Sequence, residues 1–508
     1  MFSYGWLLYF IFLLAAFIKF VFHSLPVFRG QFREAAWRDV LLVGLVTAAG
    51  LVLRVRHTFH IDLDPYGWGY IEDALAIKDI FLLKFPARFD LAAALHIPGY
   101  PFFISPVLAV AENLTAVSSF NLAASVLSVG LLYFVGYALT ADRIVSFLAA
   151  GLLAVSPQHL VYSGYEFPMS LSVFLVVLEF LFLICFLKSK SRFIGLGLLF
   201  LFFITINIKP ENIVMLALFL FVLLPEAKKD DALREALKGY LGMAVLLAIA
   251  TLFFCLPFMV NWNGIQSACI SAAYHGRNAP FAAVYFIKNF NLFLSRTGGM
   301  ALWAVAGLAL IQMFHKKERM MNVVVGWLLV SLIPLAYYAP ANAEWQILQI
   351  LIPVFLVMGY VVSKTIELFI RRRWARFVLV FFLLAAAGAK ADNDLGSVKA
   401  FSWKDIQKDF PACPAQDCVV SFKTSTSKTA LEFLFPQDRW LFINDAGFED
   451  SLKQCRGAMY YFNPVVYGLL EETDRETLLD AQAGLSRRFE VGRRVGPLEI
   501  FELYPRRK

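Results

Sequence analysis

Four carboxylates fall within the stretch HIDLDPYGWGYIED at 60–73: Asp62, Asp64, Glu72 and Asp73, with Tyr66, Trp68 and Tyr70 set among them. A carboxylate beside an attacking hydroxyl can take its proton. Aromatic rings at this density either form a wall for a sugar ring or belong to an interfacial belt. A merely solvated acidic loop would look the same. HIPGYP at 96–101 follows, where two prolines and a glycine dictate a turn. His96 in that turn either hydrogen-bonds a phosphate or carboxylate or is structural. SPQHLVYSGYEFP at 156–168 brings His159, Tyr162 and Tyr165 up to Glu166, next to Pro168 at the opening of a helix. An acid there suits a helix dipole as well as it suits chemistry. NIKPEN at 207–212 places Lys209 in a tight turn, where an ammonium would either neutralise a phosphate or snorkel from a helix end. Arg54 and Arg56 close an apolar run just before the acidic segment. They either pair with Asp62 or Asp64 or also face a phosphate.

The elements that must hold these residues are apolar. Of 508 residues 59% are hydrophobic, 17% are charged and 51 are Phe. Repeated runs approach the ~20 residues that cross a bilayer, and backbone in lipid must pair within its own segment, so the runs read as helices. Twelve crossings are expected, at 4–22, 39–58, 119–139, 144–157, 168–187, 193–208, 212–225, 241–260, 298–314, 323–339, 346–363 and 376–390, the fourth being short. The net charge of +8 comes from short basic clusters between apolar runs, a pattern that sets topology and does not call for nucleic acid. Arg29, Arg33, Arg38, Arg143, Lys188, Lys190, Arg192, Lys228, Lys229, Arg234, Lys238, Lys316, Lys317, Arg319, Lys364 and the RRRWAR run at 371–376 fall in alternate loops. The positive-inside rule makes those loops cytoplasmic and both termini external. The external loop 59–118 then holds an apolar stretch at 100–110, too short to span, which reads as a juxtamembrane helix or a re-entrant hairpin.

The first run, 4–22, lacks a basic start and a small-residue cleavage site, so it reads as a retained helix. The tail 391–508 alternates strand-like pieces (CVVSF, RWLFIN, GAMYYFN, PLEIFELY) with helical ones (SKTALEFLF, TDRETLLDAQAGLSRRF), the pattern of a small α/β domain. Outside the cytoplasm Cys413 and Cys418 can pair, with Cys455 as a competitor. Cysteine and histidine spacing gives no structural metal site. The expected architecture is therefore a polytopic helical membrane domain, 1–390, followed by a small extracytoplasmic α/β domain, 391–508.

The acidic segment, HIPGYP, SPQHLVYSGYEFP and NIKPEN, in this order, resemble the GT-C superfamily of membrane glycosyltransferases. The similarity is to the branch with protein O-mannosyltransferases and the lipid A aminoarabinose transferase. The later AEWQILQILIPVFLVMG also looks like a family helix, and the first crossing is an addition before the usual start. The sequence departs from the pattern with Glu166 where Asp is common, and with Glu344 where many relatives carry Arg. What the resemblance implies is an inverting transferase of the inner membrane that moves a sugar from polyprenyl phosphate (undecaprenyl or a relative) to an external lipid, glycan or protein. Asp64, or Asp62, would be the base, and Glu166 would orient the acceptor. Lys209, with Arg54, Arg56, Arg277 and Arg296, would hold the donor phosphate. His96, Tyr66, Trp68, Tyr70, His159 and Tyr165 would line the substrates. No cofactor is required, and metal dependence is left open. A flippase or transporter of lipid-linked glycan is the alternative, as is a polymerase or ligase with a diphosphate-linked donor. Transporters often carry inverted repeats, and none is clear in this chain.

Overall fold

The computed structural model describes residues 2–32, 37–58, 65–82, 84, 97–111, 113–165, 167–260, 283–297, 299–314, 319–333 and 344–396, and in the tail 418–421, 440–442, 448, 451, 458–462, 489–495 and 499–505. Up to 396 the described residues are almost entirely helical. The helices are α1 (Phe2–Gln31), α2 (Trp37–Thr58), α3 (Pro65–Phe81), α4 (Gly99–Val110), α5 (Leu114–Thr140), α6 (Arg143–Val155), α7 (Pro157–Val161), α8 (Met169–Ser189) and α9 (Arg192–Ile208). A 3-10 turn (Pro210–Ile213) leads into α10 (Val214–Ala227), and then come α11 (Asp231–Val260), α12 (Ala283–Arg296), α13 (Met300–Phe314), α14 (Arg319–Ser331), α15 (Glu344–Phe369) and α16 (Arg373–Gly396).

Eight of these segments are long and apolar enough to cross a membrane: Tyr4–Gln31, Trp37–His57, Leu114–Thr140, Met169–Ser189, Pro210–Ala227, Asp231–Cys255, Ile347–Phe369 and Arg373–Leu395. The protein is a multi-pass membrane protein. The other four expected crossings correspond to the shorter apolar helices α6, α9, α13 and α14. The 13 residues of α6 rise only about 20 Å. The bundle is not uniform in burial. α5, α8 and α15 are mostly enclosed, while α2, α11 and α16 show most of their apolar surface to the outside. In water such a surface would be costly, but lipid tails accept it.

Helix ends are cut where side chains can satisfy free N–H groups. The Asn113 side chain accepts from Ala116 N to begin α5, and Asp142 accepts from Ile144 N to begin α6. Between them Ala141 takes a left-handed conformation, φ 53°, which lets α6 turn straight back onto α5. At this end of the bundle Asp39, 1% exposed in the first turn of α2, receives both Nε and Nη2 of Arg143 at 2.8 Å and the hydroxyl of Tyr133 at 2.7 Å. That ion pair locks α2 to α5 and α6. The same end carries Lys188, Lys190, Arg192, Lys228, Lys229 and Arg371–Arg376, so the basic clusters of the sequence gather on one face.

In the tail the described strands are β1 (Cys418–Ser421), β2 (Trp440–Phe442), β3 (Ala458–Phe462), β4 (Phe489–Val495) and β5 (Glu499–Pro505). They form one sheet of order β2-β1-β3-β5-β4, with β1 parallel to β2 and β3. β5 runs antiparallel to β3 and β4, with an irregularity between Val491 and Arg494. The four strand-like pieces of the sequence are four of these strands. β4 was not expected, because its FEVGRRV carries charge and glycine where alternation should show. The helical piece SKTALEFLF and Cys413 lie outside the described residues, as does TDRETLLDAQAGLSRRF except its last residue, Phe489, which begins β4; α16 runs to Gly396, beyond the expected boundary at 390.

Removing Asp39 strands the Arg143 guanidinium and the Tyr133 hydroxyl. Breaking a buried pair costs about 3–5 kcal/mol, and the partial exposure of Arg143 favours the lower end. Asp39→Ala should therefore lower the unfolding midpoint of the purified protein in detergent, and an unchanged midpoint would show that the pair contributes nothing to stability.

Candidate functional site

The acidic segment is not an extended loop. From Pro65 it is the helix α3, with Pro65 at its first position, where a missing N–H costs nothing. α3 lies against α4, the juxtamembrane helix expected at 100–110. Their contact buries Tyr70, Ile71, Ala74 and Ile77 of α3 and Tyr100 and Ile104 of α4. Tyr70 meets Tyr100 edge-on at 5.4 Å and Phe167 at 5.6 Å, so it packs three segments together and is not an open wall. Asp73 precedes Ala74 on α3. Its Oδ2 is buried with no hydrogen-bond partner among the described residues, and burial, then the nearby Glu72 charge, push its carboxyl well above the usual range.

Asn121 of α5 ties this group to the second motif. Its Nδ2 donates to the Tyr100 hydroxyl at 2.7 Å and to the Tyr165 carbonyl. Tyr165 is half-buried, its ring 5.2 Å from that of Tyr162. Pro168 then stands at the cap position of α8. The segments on either side of Glu166 are thus both anchored, while Glu166 itself lies outside the described residues.

NIKPEN arrives on the same side. Gly99, at the start of α4, is pressed on the end of α9: a Cβ there would lie 2.2 Å from the Asn207 carbonyl oxygen, so only glycine allows this approach. Lys209 follows two residues later, 5% exposed, with Nζ 3.3 Å from the Met169 sulfur at the start of α8. Burial lowers its ammonium from the ordinary lysine value to about 8, and Glu211 partly opposes the shift. Behind the turn sits a buried amide knot. Asn212 Nδ2 donates to Ser172 Oγ of α8 at 2.9 Å and to the Thr205 carbonyl at 3.1 Å. Gln349 Nε2 of α15 donates to Asn212 Oδ1 at 2.7 Å and Ser172 Oγ at 2.9 Å. That knot is how the late AEWQILQ segment reaches the site.

The arginines behave otherwise than expected. Arg54 is fully buried, and its five N–H groups are all engaged. Nε donates to Ser125 Oγ, Nη1 to the Gly50 and Ala154 carbonyls, and Nη2 to the Leu153 carbonyl and His159 Nδ1. No donor remains for a phosphate, so Arg54 is a clamp that joins α2 to α5, α6 and α7. His159, 2% exposed, is the acceptor in that clamp. Burial, then the Arg54 charge, hold its imidazole well below the usual range and therefore neutral. Its Nε2 has no partner among the described residues. Arg56 pairs at 2.7 Å with Asp392 of α16, as does His57.

Asp62, Asp64, His96 and Arg277 lie outside the described residues, as do the side chains of Tyr66, Trp68 and Arg296. Cys413 and Cys455 lie outside them too. Among the described residues no group of three His, Cys, Asp or Glu could hold a metal ion. Sequence reasoning did not single out Asn121, Ser172, Asn207, Asn212 and Gln349. The available signal was a polar side chain in an apolar segment, which must find a partner inside the bundle.

No family model matches the chain, and no curated protein matches it in sequence. Solved structures do share its fold. ArnT from Cupriavidus metallidurans bound to undecaprenyl phosphate superposes with a TM-score of 0.54 at 10% identity, over 91% of this chain and 97% of that one. The apo state of the same ArnT gives 0.52 at 10% identity, over 92% and 98%. The apo oligosaccharyltransferase of Archaeoglobus fulgidus gives 0.53 at 10% identity, over 83% and 69%. The fold is the one shared by ArnT and the oligosaccharyltransferase.

The lowered ammonium of Lys209 has a consequence for stability. Between about 8 and the ordinary lysine value the unfolded chain holds a proton that the folded chain has shed, so stability rises with pH across that window. Below it, folding buries a full charge. The unfolding midpoint of the parent protein should rise between pH 8 and 10, and Lys209→Met should flatten that rise. Parallel midpoints for the two proteins across the range would contradict the assignment.

Proposed function

We propose that the protein is an inverting glycosyltransferase that moves a sugar from a polyprenyl-phosphate carrier to an acceptor hydroxyl outside the cytoplasm. One observation carries the reading: in a GT-C fold, a buried cation, Lys209, stands where α3–α4, the 162–168 segment and the start of α8 converge at one end of the bundle. The ArnT structure with undecaprenyl phosphate supports a polyprenyl-linked donor for this fold. The basic face is the cytoplasmic one by the positive-inside rule, which puts the site and the tail 391–508 on the other side of an inner membrane.

In this reading the carrier phosphate binds at Lys209, with Arg277 and Arg296 as further cations. The acceptor oxygen attacks the anomeric carbon from the face opposite the phosphate. The new C–O bond forms as the bond to phosphate breaks, and the configuration inverts. Asp64, just before α3, takes the hydroxyl proton; Asp62 is the alternative base, and Glu166 orients the acceptor. The leaving phosphate keeps the electron pair and is neutralised by the ammonium, so it needs no separate acid. Most of the rate comes from positioning and charge neutralisation. His96 and the rings of Tyr66, Trp68 and Tyr165 are proposed to face the sugar or acceptor. The reading requires no cofactor, and metal dependence is to be measured directly. Comparison of cell-envelope glycans and lipids with and without the protein identifies the acceptor as lipid, glycan or protein.

Asp64→Asn should lower transfer from a polyprenyl-phosphate sugar by about 10²–10⁴ while donor binding persists. Lys209→Ala should instead weaken donor use by roughly ten- to a hundredfold, the loss of one charge-assisted contact. Normal transfer in both folded variants would refute the mechanism.

One observation favours transport. Glu179 of α8 is fully buried within a membrane span, with the Thr205 side chain of α9 as its polar neighbour. Acids inside spans often mark ion or proton paths. Glu179→Met should leave transfer intact if the protein is a transferase. Loss of movement of lipid-linked sugar across vesicles, in a variant that still folds, would support a transporter.

A further inference from the structure

Asn207, two residues before Lys209, is the meeting point of four helices. Its Oδ1 accepts from Trp6 Nε1 of α1 at 3.0 Å and from Cys255 Sγ of α11 at 3.2 Å. Its Nδ2 donates to the Phe203 carbonyl at 2.8 Å within α9, and its backbone carbonyl is the surface against which Gly99 of α4 rests. Both Trp6 and Asn207 are fully buried. A tryptophan near the end of a membrane helix ordinarily belongs to an interfacial belt, with its N–H toward the headgroups. Trp6 does the opposite, turning its N–H inward onto a helix end.

The contacts around Trp6 make α1 a brace. Trp6 stacks on Phe10 at 5.0 Å, and Phe10 meets Phe102 and Phe103 of α4 edge-on at 5.2 and 6.0 Å. Tyr9 hydrogen-bonds Thr251 and the Leu247 carbonyl of α11. The turn that carries Lys209 is therefore held from two directions. Asn212, Ser172 and Gln349 fix its far side, and Trp6 with Asn207 fixes the side of α9. A lysine has four rotatable bonds, so where its ammonium lies depends on how firmly its Cα is placed.

We propose that Trp6 and Asn207 are positioning residues for the phosphate end of a polyprenyl-phosphate ligand, acting through the backbone at Lys209. The inference rests on the proposed function, in which Lys209 faces that phosphate. Trp6 touches no substrate in this account. It holds the turn, and α1 is thereby part of the binding site's support.

The test uses the full chain in detergent or nanodiscs and measures the Kd of undecaprenyl phosphate, with undecaprenol as the phosphate-free control. Trp6→Phe keeps a buried ring and loses the N–H. It should weaken undecaprenyl phosphate binding about two- to tenfold, the effect of one neutral hydrogen bond, and leave undecaprenol binding unchanged. In a Lys209→Ala background the same change should have no further effect. Asn207→Asp, which keeps the accepting oxygen, should bind more nearly as the parent does than Asn207→Leu. An unchanged Kd in folded Trp6→Phe overturns the inference, as does an equal loss for both lipids or a loss that persists in full without Lys209. Parental binding by Lys209→Ala itself would instead refute the proposed phosphate site, whatever Trp6 does.

Discussion

A polar group buried in a bilayer can be satisfied only by another part of the same protein, because no water is available to do it. This constraint orders the whole helical region. Arg54 brings a guanidinium into the bundle, and all five of its N–H groups are met by neighbouring helices. Asp39 is met by Arg143 and Tyr133 at the other end. The helices thus have little freedom to slide or rotate at either end, even where their apolar faces alone would pack in several ways. Dispersion and lipid exclusion bring the helices together, and these few polar junctions choose the register.

The candidate site inherits its geometry from the same rule. Lys209 lies in a short turn, and short turns between membrane helices are poor scaffolds unless something grips them. Here the grip is made of amides: Asn207 and Asn212 flank the lysine, and each spends its side chain on a different helix. Gly99 completes the arrangement by letting α4 sit directly on the α9 backbone. A charged group held this way is partly desolvated, which lowers its ammonium and strengthens its attraction for an anion. Rigidity and electrostatic strength therefore come from one cause.

Much of this was legible in the chain as written. The eight long apolar segments, the basic clusters on alternate loops, the juxtamembrane helix after HIPGYP and the strand pieces of the tail all follow from local composition. The order of the acidic segment, HIPGYP, SPQHLVYSGYEFP and NIKPEN resembles the GT-C pattern, and the fold is the one shared with ArnT and the oligosaccharyltransferase. The helical nature of 65–81 was missed because clustered acids, glycines and aromatics mimic a loop, while the buried face of Tyr70, Ile71, Ala74 and Ile77 appears only once α4 lies against it.

Composition by itself determined which segments are apolar and which residue types stand near one another along the chain, since both depend on neighbours within a few turns. The partners of the polar residues were decided by tertiary structure. Arg54, expected to pair with an acid or face a phosphate, is a clamp; Arg56 meets Asp392, and its neighbour His57 reaches the same carboxylate across 335 residues of sequence. Trp6 finds Asn207 across 201 residues. Nothing local encodes such pairings: they depend on which helix ends arrive at the same depth in the bundle, and that is fixed by the packing of all the helices together.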